Sequence, residues 1–196
     1  MHPVLGTTAL ESAMGVCDPA LGAHAARVSA NAEAVAVRLG WNEGLLDALR
    51  LGAALHDVGK VNVRPEVLSK PGELDDTERA EIRAHPVEGL WLLLGIRGFE
   101  PALPYVLFHH ERWDGLGYPT GRAGQAIPLE GRLLAVADAF DAMTSPRPYR
   151  RTLSASEAAD ELRRCVGSQF DPEIADVFLE ALDAHEITLA ATAVAA

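Results

Sequence analysis

Residues 18–40 read DPALGAHAARVSANAEAVAVRLG, and their spacing decides the fold class. Asp18-Pro19 has the chemistry of an N-cap followed by a first-turn proline: the carboxylate accepts from orphan amides, and proline lacks the donor that would be left unpaired there. Leu21, Ala25, Val28, Ala32, Val35 and Leu39 then recur at steps of three and four, an apolar stripe that ends at Gly40. One long helix is expected. The same signals repeat outward along the chain, without the strict alternation that strands require, so the expected fold is all-α. Asn42 caps a second helix that runs through Leu45, Leu49, Ala53 and Ala54 into Leu55-His56-Asp57 and stops near Gly59.

The stretch from Val61 to Gly72, with Pro65 and Pro71, reads as a connector. Asp75 with Glu78 forms a capping box for the next helix, which His85-Pro86 interrupts. Helix resumes over Val87 to Leu94 and Ala102 to Glu111. Gly115, Gly117, Pro119, Gly121, Gly124 and Pro128 then mark a long irregular loop, and such a loop inside a compact domain is usually functional. Leu129 to Thr144 is helical, Ser154 with Glu157 boxes another helix that ends at Gly167, and Asp171-Pro172 opens a last one reaching about Leu182. The expected organisation is a helical N-terminal segment over residues 1–17, one domain over 18–183 and a tail over 184–196 that frays from Ala190.

The 196 residues suit one domain with a substantial core, and no apolar run approaches the roughly 20 residues of a bilayer span. The start lacks the basic and apolar regions of a secretory signal, so a cytoplasmic protein without membrane contact is expected. Cys17 and Cys165 are far apart and read as reduced packing residues. Seventeen basic against 28 acidic residues give a net charge of −11, which argues against a long nucleic-acid partner. A small phosphate ligand remains compatible, because metals and a few cations can make a site locally positive.

Five of the seven histidines, His24, His56, His85, His109 and His110, fall near helix ends or loops in polar company. Imidazole nitrogen and carboxylate oxygen suit divalent Mn, Fe, Co, Ni and Zn, and Asp57 and Asp138 add carboxylates beside them. Asp138 stands among Val136, Ala137, Ala139 and Phe140, where an acid is costly unless it is paired or metal-bound. Seven ligands exceed one ion. Neighbouring helical residues diverge by about 100°, so Asp57 is expected to bridge two ions while His56 takes a terminal position on one. The plainer alternatives are chance His-Asp and His-His dipeptides and a salt-bridged Asp138. His2 and His185 read as ordinary surface residues.

In order along the chain stand His24-x-x-Arg27-Val28, His56-Asp57-Val58-Gly59-Lys60, Lys70-Pro71-Gly72, His85-Pro86 and His109-His110-Glu111-Arg112-Trp113-Asp114-Gly115-x-Gly117-Tyr118-Pro119. Ile127-Pro128, Asp138-x-x-Asp141-Ala142, Thr144-Ser145-x-Arg147-Pro148-Tyr149-Arg150 and Gln169-Phe170-Asp171-Pro172 follow. This run resembles the HD-GYP family of HD phosphohydrolases, over about Asp18 to Leu182. The resemblance implies a single compact helical bundle with a long Gly-Tyr-Pro loop. It implies that His24, His56, Asp57, His85, His109, His110 and Asp138 ligate metal, with Asp57 bridging. It makes Asp57 and Lys60 the catalytic candidates, and it assigns Lys60, Tyr118, Arg147 and Arg150 to the substrate.

Lysine and arginine neutralise phosphate, and tyrosine supplies an amphipathic ring, so the implied roles suit their chemistry. The implied reaction is hydrolysis of a cyclic dinucleotide such as cyclic di-GMP, with iron or manganese as the expected metals and Ni, Co or Zn also acceptable. Some family members carry a glutamate one turn before the first histidine that helps bind a third metal. Here Ala20 stands at that position, so two metals and a linear pGpG product are expected. Lys60, Asp114 or water is left to protonate the departing ribose oxygen.

The Gly-Tyr-Pro loop also resembles a docking surface for partner signalling proteins; in the alternative, Trp113 and Tyr118 simply pack it down. No sensory domain precedes the motif run, so the expectation is a stand-alone enzyme or one that answers to separate proteins. Competing readings are a non-catalytic cyclic dinucleotide sensor and a phosphodiesterase for mixed cyclic GMP-AMP.

Overall fold

The computed structural model describes residues 19–146 and 151–190. The expected segment 1–17, the Asp18 cap, Cys17, Arg147, Arg150 and the tail beyond 190 lie outside the described residues. Within them the chain forms α1 (Pro19–Arg38), α2 (Glu43–Leu55), α3 (Pro65–Leu68), α4 (Asp76–Arg83), α5 (His85–Leu93), α6 (Leu103–Phe108), α7 (Leu129–Thr144), α8 (Ala155–Cys165) and α9 (Pro172–Asp183). Short 3₁₀ helices occupy Val58–Asn62, Glu100–Ala102 and Gly124–Ala126. No strand occurs among the described residues; the one extended pairing is an isolated bridge between Val166 and Phe170. The all-α expectation is met.

Helix starts follow local chemistry. Asn42 accepts from the Leu45 amide, Asp75 and Ser154 each form the expected capping box with the glutamate three residues on, and Asp171 caps α9 with Pro172 in its first turn. The connector is more structured than its prolines suggest. Pro65 sits in the first turn of α3, where a missing amide costs nothing. His85-Pro86 likewise starts α5, two residues before the expected Val87, while α6 starts at Leu103 after a 3₁₀ turn and stops at Phe108.

The buried stripe of α2 is Leu46, Leu49 and Ala53, whereas Leu45 is exposed. Leu45 lies in the turn closed by Asn42, and the three- and four-residue spacing that meets the core begins one position later.

α7 lies at the centre, packed against α1, α6, α8 and α9, and α1 also covers α2. The main core joins Val28, Ala32 and Val35 of α1 to Leu133, Leu134, Ala137 and Phe140 of α7 and to Ile174 and Phe178 of α9. Burying a side chain of this size contributes roughly 1.5–3 kcal/mol. A second cluster, Leu55, Val58, Leu93, Phe99, Ala102 and Val106, clamps the end of α2 to α5 and α6. That clamp brings three helix termini together. Past residue 183 the chain stays docked on α1: Ile187 is buried, and Asn31 exchanges hydrogen bonds of 2.7 and 3.1 Å with the Thr188 backbone.

Candidate metal centre

Helix ends supply most of the site. His56 is the C-cap of α2, Asp57 precedes the 3₁₀ turn at Val58, His85 opens α5, and His109 and His110 follow α6. His24 and Asp138 reach in from the sides of α1 and α7.

The rings converge. Centroids lie 5.4 Å apart for His24 and His56, 5.0 Å for His56 and His109, 5.0 Å for His85 and His110, and 4.1 Å for His109 and His110. Asp57 stands among them. Its Oδ1 is 3.3 Å from His85 Nε2 and 3.9 Å from His109 Nε2, while its Oδ2 is 3.5 Å from His56 Nε2. Asp138 Oδ1 lies 3.2 Å from His24 Nε2. The ligating atoms of Asp57, His85, His109 and His110 form one group and those of His24, His56 and Asp57 another, each within 4.8 Å, so Asp57 belongs to both. Six of the seven residues singled out in the sequence fall in these two groups, and Asp138 stands beside them against His24.

Tautomers define the donor atoms that the cluster presents. Nδ1 of His56 lies 2.7 Å from the Ala53 carbonyl, Nδ1 of His85 lies 2.7 Å from that of Ile82, and Nδ1 of His109 lies 3.0 Å from those of Tyr105 and Val106. A carbonyl only accepts, so these Nδ1 atoms carry the protons and each neutral ring presents a bare Nε2. His85 Nε2 and His109 Nε2 are 3.2 Å apart, two acceptors facing without a hydrogen between them. His56 Nε2 and Asp57 Oδ1 are buried with no hydrogen-bond partner among the described residues. Converging buried lone pairs are costly unless a cation satisfies them, and this donor set fits divalent metal.

The electrostatics agree. Burial pushes the Asp57 carboxyl up, but the Lys60 ammonium beside it leads the interactions that hold it well below the carboxylate range. Burial pushes Asp138 the same way, and His24 and its neighbours bring it below its ordinary value. Burial drives His109 down strongly and His110 down to about 4, so both rings stay neutral. His24 differs: burial lowers it, but hydrogen bonds to Asp138 and Asp141 raise it to about 9.

Asp141 is the functional candidate missing from the set picked out in the sequence. Its Oδ2 is 2.6 Å from His24 Nδ1, and Arg27 holds the same carboxylate by bonds of 2.5 and 3.1 Å. Asp141 thereby fixes the His24 ring so that Nε2 faces Asp138, an outer carboxylate orienting an inner imidazole. The signal was present as a second acid three residues after Asp138 in an apolar helix. An Asp141→Asn protein is expected to lose about 10- to 100-fold in affinity for manganese while remaining helical, measured by metal titration beside circular dichroism.

A cavity of about 500 Å³ opens beside the cluster, with Arg83, His110, Tyr118, Asp138, Glu161 and Gln169 on its walls. Tyr118 stacks on His110 at 4.9 Å, and Gly117 lets the loop turn there, since a Cβ would stand 2.4 Å from the Arg112 nitrogen. Lys60 Nζ lies 2.5 Å from Asp57 Oδ2. Trp113 is half-buried; its backbone pairs with Gln169 and Gly124, and Arg132 lies over its ring. Asp114 is tied to Arg112 and to the Leu116 amide.

An all-helical bundle that gathers a His-Asp pair and three further histidines at helix ends, with a fourth histidine and a second aspartate reaching in from helix sides, defines an HD-type domain. The HD domain profile matches residues 10–174, and the chain belongs to that family, in its HD-GYP branch. The cyclic di-GMP phosphodiesterase response regulator RpfG of Xanthomonas campestris pv. campestris is 41% identical over 164 residues, covering 83% of this chain and 43% of that protein. A 3′3′-cGAMP-specific phosphodiesterase of Vibrio cholerae is 37% identical over 164 residues, covering 83% of this chain and 31% of the other. The solved structure of an HDGYP-type protein from Bdellovibrio bacteriovorus shares the fold, with a TM-score of 0.67 at 22% identity over 82% of this chain and 51% of that one. The chain thus spans less than half the length of these curated relatives. Among the described residues no helix is long and apolar enough to cross a membrane.

Proposed function

We propose that this chain is a metal-dependent phosphodiesterase that opens cyclic di-GMP and releases linear pGpG. The observation that carries the reading is the set of bare, buried Nε2 lone pairs converging on Asp57 beside an open cavity. His24, His56, Asp57, His85, His109, His110 and Asp138 would hold two divalent ions, iron or manganese, with Asp57 shared. Bound ions of this kind supply Lewis acidity and an activated water for attack on phosphorus.

The chain's own groups do the rest. Lys60 stands against Asp57, within the candidate ligand cluster, where its ammonium can meet a phosphate oxygen and protonate the departing ribose 3′ oxygen; Asp114 is tied to Arg112, away from that cluster. Tyr118, backed by His110, offers a flat wall for a base or ribose. Arg147 and Arg150, outside the described residues, keep their proposed phosphate-binding role. The Gly-Tyr-Pro loop exposes Leu116 and remains the proposed contact for signalling partners. A cytoplasmic location follows from the substrate.

The mixed cyclic GMP-AMP named for the Vibrio cholerae relative is the second substrate to consider, since that protein is nearly as similar as the cyclic di-GMP enzyme. Protein loaded with manganese or iron should convert cyclic di-GMP to pGpG, followed by chromatography beside 3′3′-cGAMP. Turnover of the mixed dinucleotide alone would transfer the assignment. Tight binding with no turnover of either would leave a sensor instead.

A further inference from the structure

We propose that Arg83 is a substrate-binding residue, holding the second, non-scissile phosphate of a cyclic dinucleotide; this rests on the phosphodiesterase reading above. Two arginines line the cavity among the described residues. Arg112 is engaged, with Asp114 at 2.6 and 3.0 Å and Gln169 at 3.2 Å. Arg83 forms no ion pair or hydrogen bond among the described residues, although the chain is rich in acids. Its guanidinium instead lies over the Tyr118 ring, 4.6 Å from the centroid.

Geometry gives that stack a use. A guanidinium held over an aromatic ring is steadied by it, while the Arg83 N–H donors keep no partner among the described residues and remain available to a ligand. A planar fork of donors matches two phosphate oxygens, which a Lys ammonium cannot reproduce. Tyr118 stacks in turn on His110, so Arg83, Tyr118 and His110 form one continuous wall from the rim of the cavity to the candidate metal centre. The two phosphates of a cyclic dinucleotide sit on opposite sides of one macrocycle. With the scissile phosphate at the metal centre beside Lys60, the other falls away from the centre, where Arg83 is the uncommitted arginine on the cavity wall among the described residues. Arg83 also sits in the last turn of α4, where a cation suits the helix dipole, but that interaction needs no stacking on Tyr118.

The test compares manganese-loaded wild type, Arg83→Gln and Arg83→Lys on two substrates: cyclic di-GMP, with two phosphates, and bis(p-nitrophenyl) phosphate, with one. The ratio of kcat/KM for the dinucleotide to that for the small diester is expected to fall about 10- to 100-fold in Arg83→Gln, the worth of a charge-assisted pair. The loss should appear mainly in KM, with partial recovery in Arg83→Lys. An unchanged ratio, whether activity falls equally on both substrates or on neither, overturns the proposal and leaves Arg83 as a support for Tyr118 or as a surface residue. A wild type that opens no cyclic dinucleotide overturns the phosphodiesterase reading and this inference together, an outcome distinct from an active wild type matched by Arg83→Gln.

Discussion

An Asp57→Asn protein is expected to open cyclic di-GMP at least about a thousandfold more slowly than the wild type, and to lose most of the thermal stabilisation that manganese gives. Asp57 is the one residue common to both candidate ligand groups. An amide keeps the shape but removes a unit of negative charge and one coordinating oxygen. At an effective dielectric of about 20, two unit charges near 4 Å interact by about 4 kcal/mol, which corresponds to roughly three decades in rate. The binding effect is separable from catalysis. Manganese at a hundredfold excess over its Kd adds about 2.7 kcal/mol to the folded state, or about 5–10 °C in Tm for a domain of this size. Differential scanning calorimetry with and without manganese should show that shift in the wild type and a much smaller one in Asp57→Asn. A variant that keeps the full manganese shift would remove Asp57 from the ligand set, and one that keeps turnover would remove it from the chemistry.

What could be read in advance divides along a physical line. Caps at Asn42, Asp75, Ser154 and Asp171 were legible because each is a contact between residues a few positions apart, written in residue type. The seven candidate ligands were picked out by residue type, imidazoles near helix ends or in polar company and an acid in apolar company, but that they stand together appears only in the fold. Features that depend on distant partners were not legible. Whether Leu45 or Leu46 faces inward is decided by the helices packed against α2, which local spacing does not specify. Arg27 and Asp141 stand in the motif run, but their pairing across α1 and α7 and their hold on His24 appear only in three dimensions. Arg83 carries no signal at all until Tyr118 is seen beneath it.

Gly59→Ala should be the most damaging single-methyl change near the centre, while Gly44→Ala, the same chemical change, should be neutral or stabilising. A Cβ on Gly59 would stand 1.9 Å from the His85 carbonyl oxygen and 2.5 Å from the Gly89 nitrogen. Both are backbone atoms of α5, so no side chain can swing aside. Relief requires α5 to move away from the 3₁₀ turn, and its first residue is His85, whose Nε2 stands 3.3 Å from Asp57. Overpacking of this kind costs about 1–3 kcal/mol, and a 1 Å misplacement of reacting groups costs about a hundredfold in rate. Gly44 lies in the first turn of α2, where a Cβ would meet only the Asn42 side chain at 3.4 Å, and alanine is favoured over glycine in a helix by up to about 1 kcal/mol. Thermal denaturation and manganese titration of the two variants side by side provide the check. If Gly59→Ala binds manganese like the wild type, the contact between the 3₁₀ turn and α5 does not set the geometry of the centre.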